Sequence, residues 1–331
     1  MNKAGLYTIY MKALTFSTFG DPGVLQYQEI AQQVLKTGDI LVEMKAIGLN
    51  FSDTERRKGN YHLLGKPPYI AGYEGAGIVA DNNGHPDFKP GDRVSFGDVP
   101  FANAELVAVP VTHAIPLPAE ISFDTAAAIL LQGMTAHYLA TDSHQVKPGE
   151  MVLLHAVAGG VGQLLTQICK LLGAKVIGLT SSEAKRTAAL TAGADVVFLY
   201  QEDWKKQVLD YTGGKGVDVT YDSVASTLND SLAITRILGT VVLYGKAGGL
   251  PEPPPSLELL MDRSQTITGG DLWSYLDSKE ERIKRSGVLF NWITSGQLVL
   301  QAPKAFKLSD GKLAHEYMES KQSTGKIILI P

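Results

Sequence analysis

A glycine-rich turn at residues 157–162 constrains the fold of this chain more than any other feature. The sequence VAGGVG follows an apolar run at 151–157 that is typical of a buried strand, and it opens a segment at 161–172 with helical periodicity. Small residues at such a turn let the backbone approach a pyrophosphate held at the helix N-terminus. Only Val157 departs from the G-x-G-x-x-G pattern, and the alternative is a turn that merely packs the helix on the sheet. We expect cofactor contacts from Ala158, Gly159, Gly160, Val161 and Gly162.

The chain beyond this turn alternates between strand and helix patterns. We predict strands at 175–179, 196–200, 217–222 and 240–244, and helices at 182–192, 203–212 and 227–238. Regular alternation of this kind favours a parallel, doubly wound sheet. The sequence therefore predicts an α/β chain with a Rossmann domain at 134–273.

The segment before residue 133 has a different, β-rich pattern. Short apolar or alternating runs at 40–47, 75–80, 92–96 and 105–109 are separated by proline- and glycine-containing turns, which indicates a compact barrel-like domain. After a helix beyond residue 274, the runs at 305–308 and 326–330 resemble strands that return to this domain. We predict a first domain from 11–133 and 274–331, with residues 1–10 as an N-terminal extension.

Composition argues against several classes of partner. The 30 basic and 34 acidic residues give a net charge of −4, and they form no basic stripe of the kind that nucleic acid requires. No apolar run reaches the ~18 residues of a membrane span. The single cysteine, Cys169, forms no intramolecular disulfide and is interpreted as a core residue. We expect a cytoplasmic protein with no nucleic-acid partner and no membrane insertion.

The end of the second predicted strand indicates which dinucleotide binds. An NAD site places an acidic residue about 20 residues after the glycine turn, but Thr180 stands there. Ser181, Ser182 and Lys185 follow, with Arg186, and they offer hydroxyls and cations to a 2′-phosphate. We therefore predict NADPH, with Thr180, Ser181, Ser182 and Lys185 as contacts. The alternative is that Ser181 or Ser182 only caps a helix.

Four segments together resemble a known family. AIGLNFSD at 46–53, KPGDRV at 89–94, LQGMTA at 131–136 and the glycine turn are similar to the zinc-independent quinone oxidoreductase (ζ-crystallin-like) branch of the medium-chain dehydrogenase/reductase superfamily. The resemblance covers residues 11–331. It implies a GroES-like β-barrel catalytic domain beside the Rossmann domain, and a homodimer or tetramer.

The resemblance also distinguishes this chain from the zinc enzymes of that superfamily. Asn50 stands at the position of their catalytic cysteine and Tyr73 at that of their histidine, and neither is a good zinc ligand. We expect no metal. Quinones and conjugated carbonyls suit such a site, because conjugation spreads the charge that hydride transfer delivers.

The family resemblance assigns roles to individual residues. It implies catalytic roles for Asn50, Asp53 and Tyr61, with Asn50 also beside the nicotinamide and Tyr61 in the substrate pocket. Turn formation at a strand end is the alternative for Asn50 and Asp53, and packing is the alternative for Tyr61. Glu55 stands where relatives often have an aromatic residue, so the substrate pocket differs from theirs. Further cofactor contacts are implied at Thr135, Tyr200, Ser223, Val224, Gly245, Lys246, Ala247 and Lys326.

The predicted function is an NADPH-dependent quinone reductase that transfers hydride without zinc. One alternative is an enoyl- or haloacrylate-type alkene reductase of the same branch. Another is a non-catalytic, crystallin-like protein that binds NADPH or RNA. Sequence alone does not separate the quinone reductase from the alkene reductase, and the lack of a basic stripe counts against RNA binding.

Overall fold

The computed structural model describes residues 9–320 and 322–331, and these fall into two compact units. Unit 1 contains the described residues up to Leu131, with Ser278–Thr294 and Leu300–Pro331. Unit 2 contains Gln132–Asp277 and Ser295–Val299. The predicted domain bounds stay a prediction and differ from these units by a few residues and by the segment 295–299. Residues 1–8 of the predicted extension lie outside the described residues.

Unit 1 is built on β-strands. They are β1 (Tyr10–Phe16), β2 (Gln26–Ala31), β3 (Asp39–Leu49), β4 (Tyr69–Ile70), β5 (Glu74–Asp81), β6 (Arg93–Phe96), β7 (Leu106–Pro110) and β8 (Ile115–Pro116), with β15 (Lys304–Lys307) and β16 (Ile327–Ile330) from the C-terminal part. One sheet has the order β2-β1-β4 and the other β15-β16-β3-β5-β6-β8, with β7 also paired to β3. One large apolar cluster, including Leu14, Phe96 and Val107, has members from both sheets.

The C-terminal strands return to unit 1, as predicted. β16 pairs antiparallel with β3, so that Ile327 lies opposite Leu49 and Leu329 opposite Ile47. β15 then adds to the free side of β16 in parallel. The helices with residues in this unit are α1 (Phe51–Arg57), the N-terminal half of α2 (Phe123–Tyr138), α8 (Lys279–Thr294) and α9 (Gly311–Glu319).

Unit 2 is a six-stranded parallel sheet with the order β11-β10-β9-β12-β13-β14. The strands are β9 (Met151–Leu154), β10 (Lys175–Thr180), β11 (Val196–Leu199), β12 (Val217–Asp222), β13 (Thr235–Leu243) and β14 (Thr266–Gly269). The helices are α3 (Gly160–Leu171), α4 (Glu183–Thr191), α5 (Trp204–Tyr211), α6 (Leu228–Ile234) and α7 (Leu257–Arg263). This order confirms the doubly wound sheet, because β9 to β11 extend to one side and β12 to β14 extend to the other. In such folds, ligands bind at the carboxyl ends of the two central strands, here β9 and β12.

Two predicted elements are wrong at their ends. The strand predicted at 151–157 stops at Leu154, because Ala156 turns the chain with a φ of 50°. The helix predicted at 227–238 stops at Ile234, because Thr235 already pairs with Val217 in the sheet. The next sheet pair is Val219 with Thr240, so residues 236–239 bulge outward.

Candidate functional site

The glycine turn of unit 2 has a backbone geometry that excludes side chains. Gly159 is the N-cap of α3. A Cβ on Gly162 would lie 2.6 Å from the carbonyl oxygens of both Ala156 and Val157, which is too close for any other residue. The first-turn amides of α3 follow a residue without a capping side chain, so they present donors of the kind that binds a phosphate group.

α2 lies against the same turn. A Cβ on Gly160 would lie 1.9 Å from Gln132 Oε1, so the amide of Gln132 packs directly on the turn. Thr135 follows Gln132 by three residues and therefore lies on the same helix face. The structure thus adds Gln132, which lies in the LQGMTA motif, as a neighbour of the glycine turn, and a cofactor contact of Thr135 stays a prediction.

A network of hydrogen bonds connects the backbone at the start of the turn to side chains inside unit 2. The amide of Ala156 donates to the Tyr200 hydroxyl at 3.0 Å, and that hydroxyl lies 3.2 Å from His155 Nδ1. His155 Nε2 is 3.0 Å from the Ser231 hydroxyl, which donates to Asp222 Oδ2 at 2.8 Å. Burial lowers the pKa of His155, so the ring is neutral, and the network places its proton on Nε2. Tyr200 therefore holds the turn through its hydroxyl, and a contact of its ring with adenosine stays a prediction.

The residues predicted to bind a 2′-phosphate begin at Thr180, the last residue of β10, and continue beyond it. Thr180 is only 2% exposed, whereas Ser181 is exposed and Lys185 is half-buried. The Ser182 hydroxyl accepts from the Lys185 amide at 3.4 Å, so Ser182 also serves as the helix cap that was considered as an alternative. Arg186 binds Glu183 and Glu202 at 2.9 and 2.5 Å, so its guanidinium is already paired with carboxylates. Phosphate contacts of Ser181 and Lys185 stay predictions.

The predicted contacts after β12 and β13 form adjoining loops. The Ala247 amide donates to the Ser223 carbonyl at 3.2 Å, and the Gly248 amide donates to the Val224 carbonyl at 2.8 Å. A Cβ on Gly245 would lie 2.7 Å from the Ser223 carbonyl oxygen, so only glycine permits this approach. Lys246 lies in the same loop. These residues are therefore neighbours at the carboxyl edge of the sheet, where doubly wound folds bind ligands.

In unit 1, Asn50 and Asp53 form the start of α1. The Asn50 amide donates to Asp53 Oδ2 at 2.9 Å, in the manner of a capping box. Burial raises the pKa of Asp53, against the opposing effects of Arg56 and of the Asn50 amide. The structural role considered for this pair is therefore present, and its catalytic role stays a prediction.

Three strand ends place a lysine, a glutamate and Asn50 together in the same unit. Asn50 follows β3, Glu74 begins β5 and Lys326 precedes β16, and these strands are neighbours in the order β16-β3-β5. Lys326 Nζ donates to Asn50 Oδ1 at 2.7 Å and to Glu74 Oε2 at 2.6 Å, while Asn50 Nδ2 donates to Glu74 Oε2 at 2.8 Å. All three are buried. Lys326 was predicted to contact cofactor phosphate, but the structure directs its ammonium at Glu74 and Asn50.

Tyr61 lies beside a buried arginine. The Arg56 guanidinium carbon is 3.6 Å from the centroid of the Tyr73 ring and 4.8 Å from that of the Tyr61 ring. Arg56 also donates to Asp53 Oδ1 at 3.1 Å. Tyr61 is half-buried, so packing and substrate contact are both compatible with its position. The sequence pattern did not predict that Arg56 and Glu74 belong to this site. For Glu74, the available signal was an acidic residue next to a strand predicted to be buried.

Neither metal binding nor membrane insertion has a structural indication in the described residues. Within residues 9–320 and 322–331, no three or more His, Cys, Asp or Glu side chains group in a way that could hold a metal ion. None of the helices described has the length and apolar character needed to cross a bilayer.

Comparison with known proteins matches both halves of the chain. Residues 36–146 match the alcohol dehydrogenase GroES-like domain, and residues 160–282 match the zinc-binding dehydrogenase family. The chain is 36% identical over 321 residues to the 2-haloacrylate reductase of a Burkholderia species, covering 94% of this chain and 96% of that protein. It is 37% identical over 324 residues to quinone oxidoreductase 1 of Escherichia coli strain K12, covering 96% and 99%.

A solved structure matches over nearly the whole chain. The Escherichia coli quinone oxidoreductase complexed with NADPH superposes with a TM-score of 0.91 at 37% identity, covering 97% of this chain and all of that one. These matches confirm the predicted fold, a GroES-like domain and a Rossmann domain.

Proposed function

Because this chain belongs to the quinone oxidoreductase family of the medium-chain dehydrogenase/reductase superfamily, we propose that it is an NADPH-dependent quinone oxidoreductase. The observation that carries the proposal is the glycine turn at the start of α3, which admits no side chain at Gly162 and leaves the first-turn amides without a capping side chain. Relatives over almost the full length of the chain bear the same activity in their names.

The residues of unit 2 fit the cofactor. The turn from Ala158 to Gly162 would hold the pyrophosphate through the amides of Gly160, Val161 and Gly162, because the Gly159 amide already donates to the Ala156 carbonyl. Ser181 and Lys185 would hold the 2′-phosphate. The loops at Ser223–Val224 and Gly245–Ala247, with Thr135, would hold the remaining length of the dinucleotide. When bound, NADPH supplies the hydride.

The residues of unit 1 would act on the substrate. Tyr61 donates a hydrogen bond to the substrate oxygen, and the buried Arg56 guanidinium, 4.8 Å from the centroid of the Tyr61 ring, holds that ring in position. Asn50 and Asp53 orient the reacting groups. The site works without zinc, because Asn50 and Tyr73 replace the metal ligands and a lysine ammonium already lies on the Glu74 carboxylate.

The substrate class follows from the charges near Tyr61. A haloacrylate carries a carboxylate that needs a cation, and the relative named 2-haloacrylate reductase makes this a second candidate. Arg56, however, is 2% exposed and paired with Asp53, so it offers no accessible charge for a carboxylate. The site therefore favours uncharged quinones.

The test is NADPH oxidation by the purified protein with quinones, uncharged enones and 2-haloacrylate. Fast oxidation with quinones supports the proposal, and preference for 2-haloacrylate supports the second candidate. NADPH binding without turnover on any substrate would indicate the non-catalytic alternative.

We also propose a cytoplasmic homodimer. β14 is the last strand of the unit 2 sheet, and apolar side chains nearby are about 70% exposed, namely Leu238, Leu250, Leu257 and Met261. Such an edge suits a second copy of the chain. Light scattering should give twice the monomer mass, and a Leu257→Glu variant should be monomeric.

A reducing compartment suits a chain with one buried cysteine.

A further inference from the structure

We propose that Lys326 is a positioning residue for Asn50 and not a ligand of the cofactor phosphate. The inference rests on the proposed function, in which Asn50 orients the reacting groups. The antiparallel pairing of Ile327 with Leu49 places Lys326 beside Asn50, and the pairing of Glu74 with Gly48 brings the carboxylate to the same edge.

The two charges determine which way the Asn50 amide faces. Its oxygen accepts from the Lys326 ammonium, and its nitrogen donates to Glu74 Oε2. If the amide were reversed, its NH2 group would meet the ammonium and its oxygen would meet the carboxylate. Both contacts would be repulsive, so the ion pair leaves one orientation.

The Glu74 carboxylate is itself fixed. Its second oxygen, Oε1, accepts from the Leu131 amide at 2.8 Å. A Cβ on Gly48 would lie 2.2 Å from Glu74 Oε2, so the carboxylate rests directly on the β3 backbone. Since Glu74 has no exposed surface, it does not rotate away, and the ammonium is held against it.

This arrangement is poorly suited to phosphate binding. The Lys326 side chain is 6% exposed and already binds a carboxylate and an amide oxygen. To reach a phosphate, the ammonium would have to move away from Glu74. The Glu74 carboxylate would then be a buried charge without a partner cation, which is strongly unfavourable. The phosphate role and the positioning role therefore predict different consequences of removing the ammonium.

The experiment compares Lys326→Met with wild type and with Lys304→Met. Lys304 is an exposed lysine on the adjoining strand, so it controls for loss of a cation. For Lys326→Met we expect kcat for quinone to fall about 10- to 100-fold, the range for a charged hydrogen bond, with the Kd values of NADPH and NADH within about two-fold of wild type. Lys304→Met should match wild type throughout. Weaker binding of NADPH alone would overturn the inference and restore the phosphate role.

A double variant separates positioning from stability. In Lys326→Met the Tm of the cofactor-free protein should fall, because Glu74 is left unpaired. Lys326→Met with Glu74→Gln removes both charges and keeps an acceptor for the Leu131 amide, so Tm should recover while kcat stays low. Recovery of Tm and kcat together would show a purely structural role.

Lys326→Arg keeps the test decisive if the methionine variants fail to fold. The guanidinium neutralises Glu74 and still repels a reversed amide, so kcat should stay within about ten-fold of wild type. A folded Lys326→Arg protein whose kcat falls more than 100-fold would overturn the inference. If wild type itself oxidises no NADPH with quinones, the proposed function fails instead.

Discussion

A buried histidine in unit 1 gives a quantitative prediction for stability against pH. His315 lies in α9 with no exposed surface, and its ring nitrogens have no hydrogen-bond partner among the described residues. Burial, reinforced by the Arg57 cation, lowers the pKa of His315 from 6.5 to about 3. The folded protein therefore excludes a proton that the unfolded chain binds.

The sign and size follow from linkage. Because the folded pKa is below the unfolded one, stability is lost as pH falls from 6.5 towards 3. At pH 5, about 1.5 pH units below the pKa of the unfolded histidine, protonation stabilises the unfolded chain. Each unit contributes ~1.4 kcal/mol, so the folded protein loses about 2 kcal/mol of stability relative to pH 8. His315→Leu removes this contribution and leaves the apolar packing.

Urea unfolding at pH 8 and pH 5 measures the effect. Wild type should lose about 2 kcal/mol more between these pH values than His315→Leu does. His85→Leu, at a partly exposed histidine of the same unit, controls for the loss of a histidine. If wild type and His315→Leu lose the same free energy, the ring is not held neutral by burial and the reasoning is wrong.

Three further predictions concern the site. Lys185→Ala should weaken NADPH binding about 10- to 100-fold and leave NADH binding unchanged, as measured by nucleotide fluorescence; equal weakening of both would remove Lys185 from the 2′-phosphate site. Tyr61→Phe should lower kcat or raise the quinone KM while the NADPH Kd stays within about two-fold; unchanged kinetics would leave water as the proton source. Dialysis against a strong chelator, with metal content measured in parallel, should leave turnover unchanged; stoichiometric zinc whose removal abolishes activity would contradict a zinc-free site.

Local sequence patterns were sufficient for much of the fold. Turn residues marked the ends of the strands in unit 1. The glycine turn and the β/α alternation that follows it predicted the parallel sheet of unit 2. The helix α1 was missed because its seven residues are too few for a periodic pattern. The end of α6 was missed because sheet pairing at Thr235 overrides a helical pattern that continues to residue 238.

The buried polar contacts depend on partners far apart in the chain. Lys326 binds a glutamate 252 residues away and an asparagine 276 residues away, and His155 meets a serine 76 residues away. No local pattern carries such pairings. The sequence therefore indicated the glycine turn itself, but not that Gln132 packs on it or that His155 and Tyr200 are hydrogen-bonded beneath it.

We infer that the glycine turn of unit 2 binds NADPH for quinone reduction. The most direct measurement is single-turnover oxidation of NADPH by a quinone in wild type, Gly162→Ala and Gly287→Ala. A Cβ at Gly162 meets two backbone carbonyls at 2.6 Å, whereas a Cβ at Gly287 in α8 meets no atom within 4 Å among the described residues. All three proteins are compared at NADPH and quinone concentrations that saturate wild type. We predict rapid oxidation by wild type and Gly287→Ala, and a rate at least about 100-fold lower for Gly162→Ala. Wild-type rates in Gly162→Ala would contradict the account.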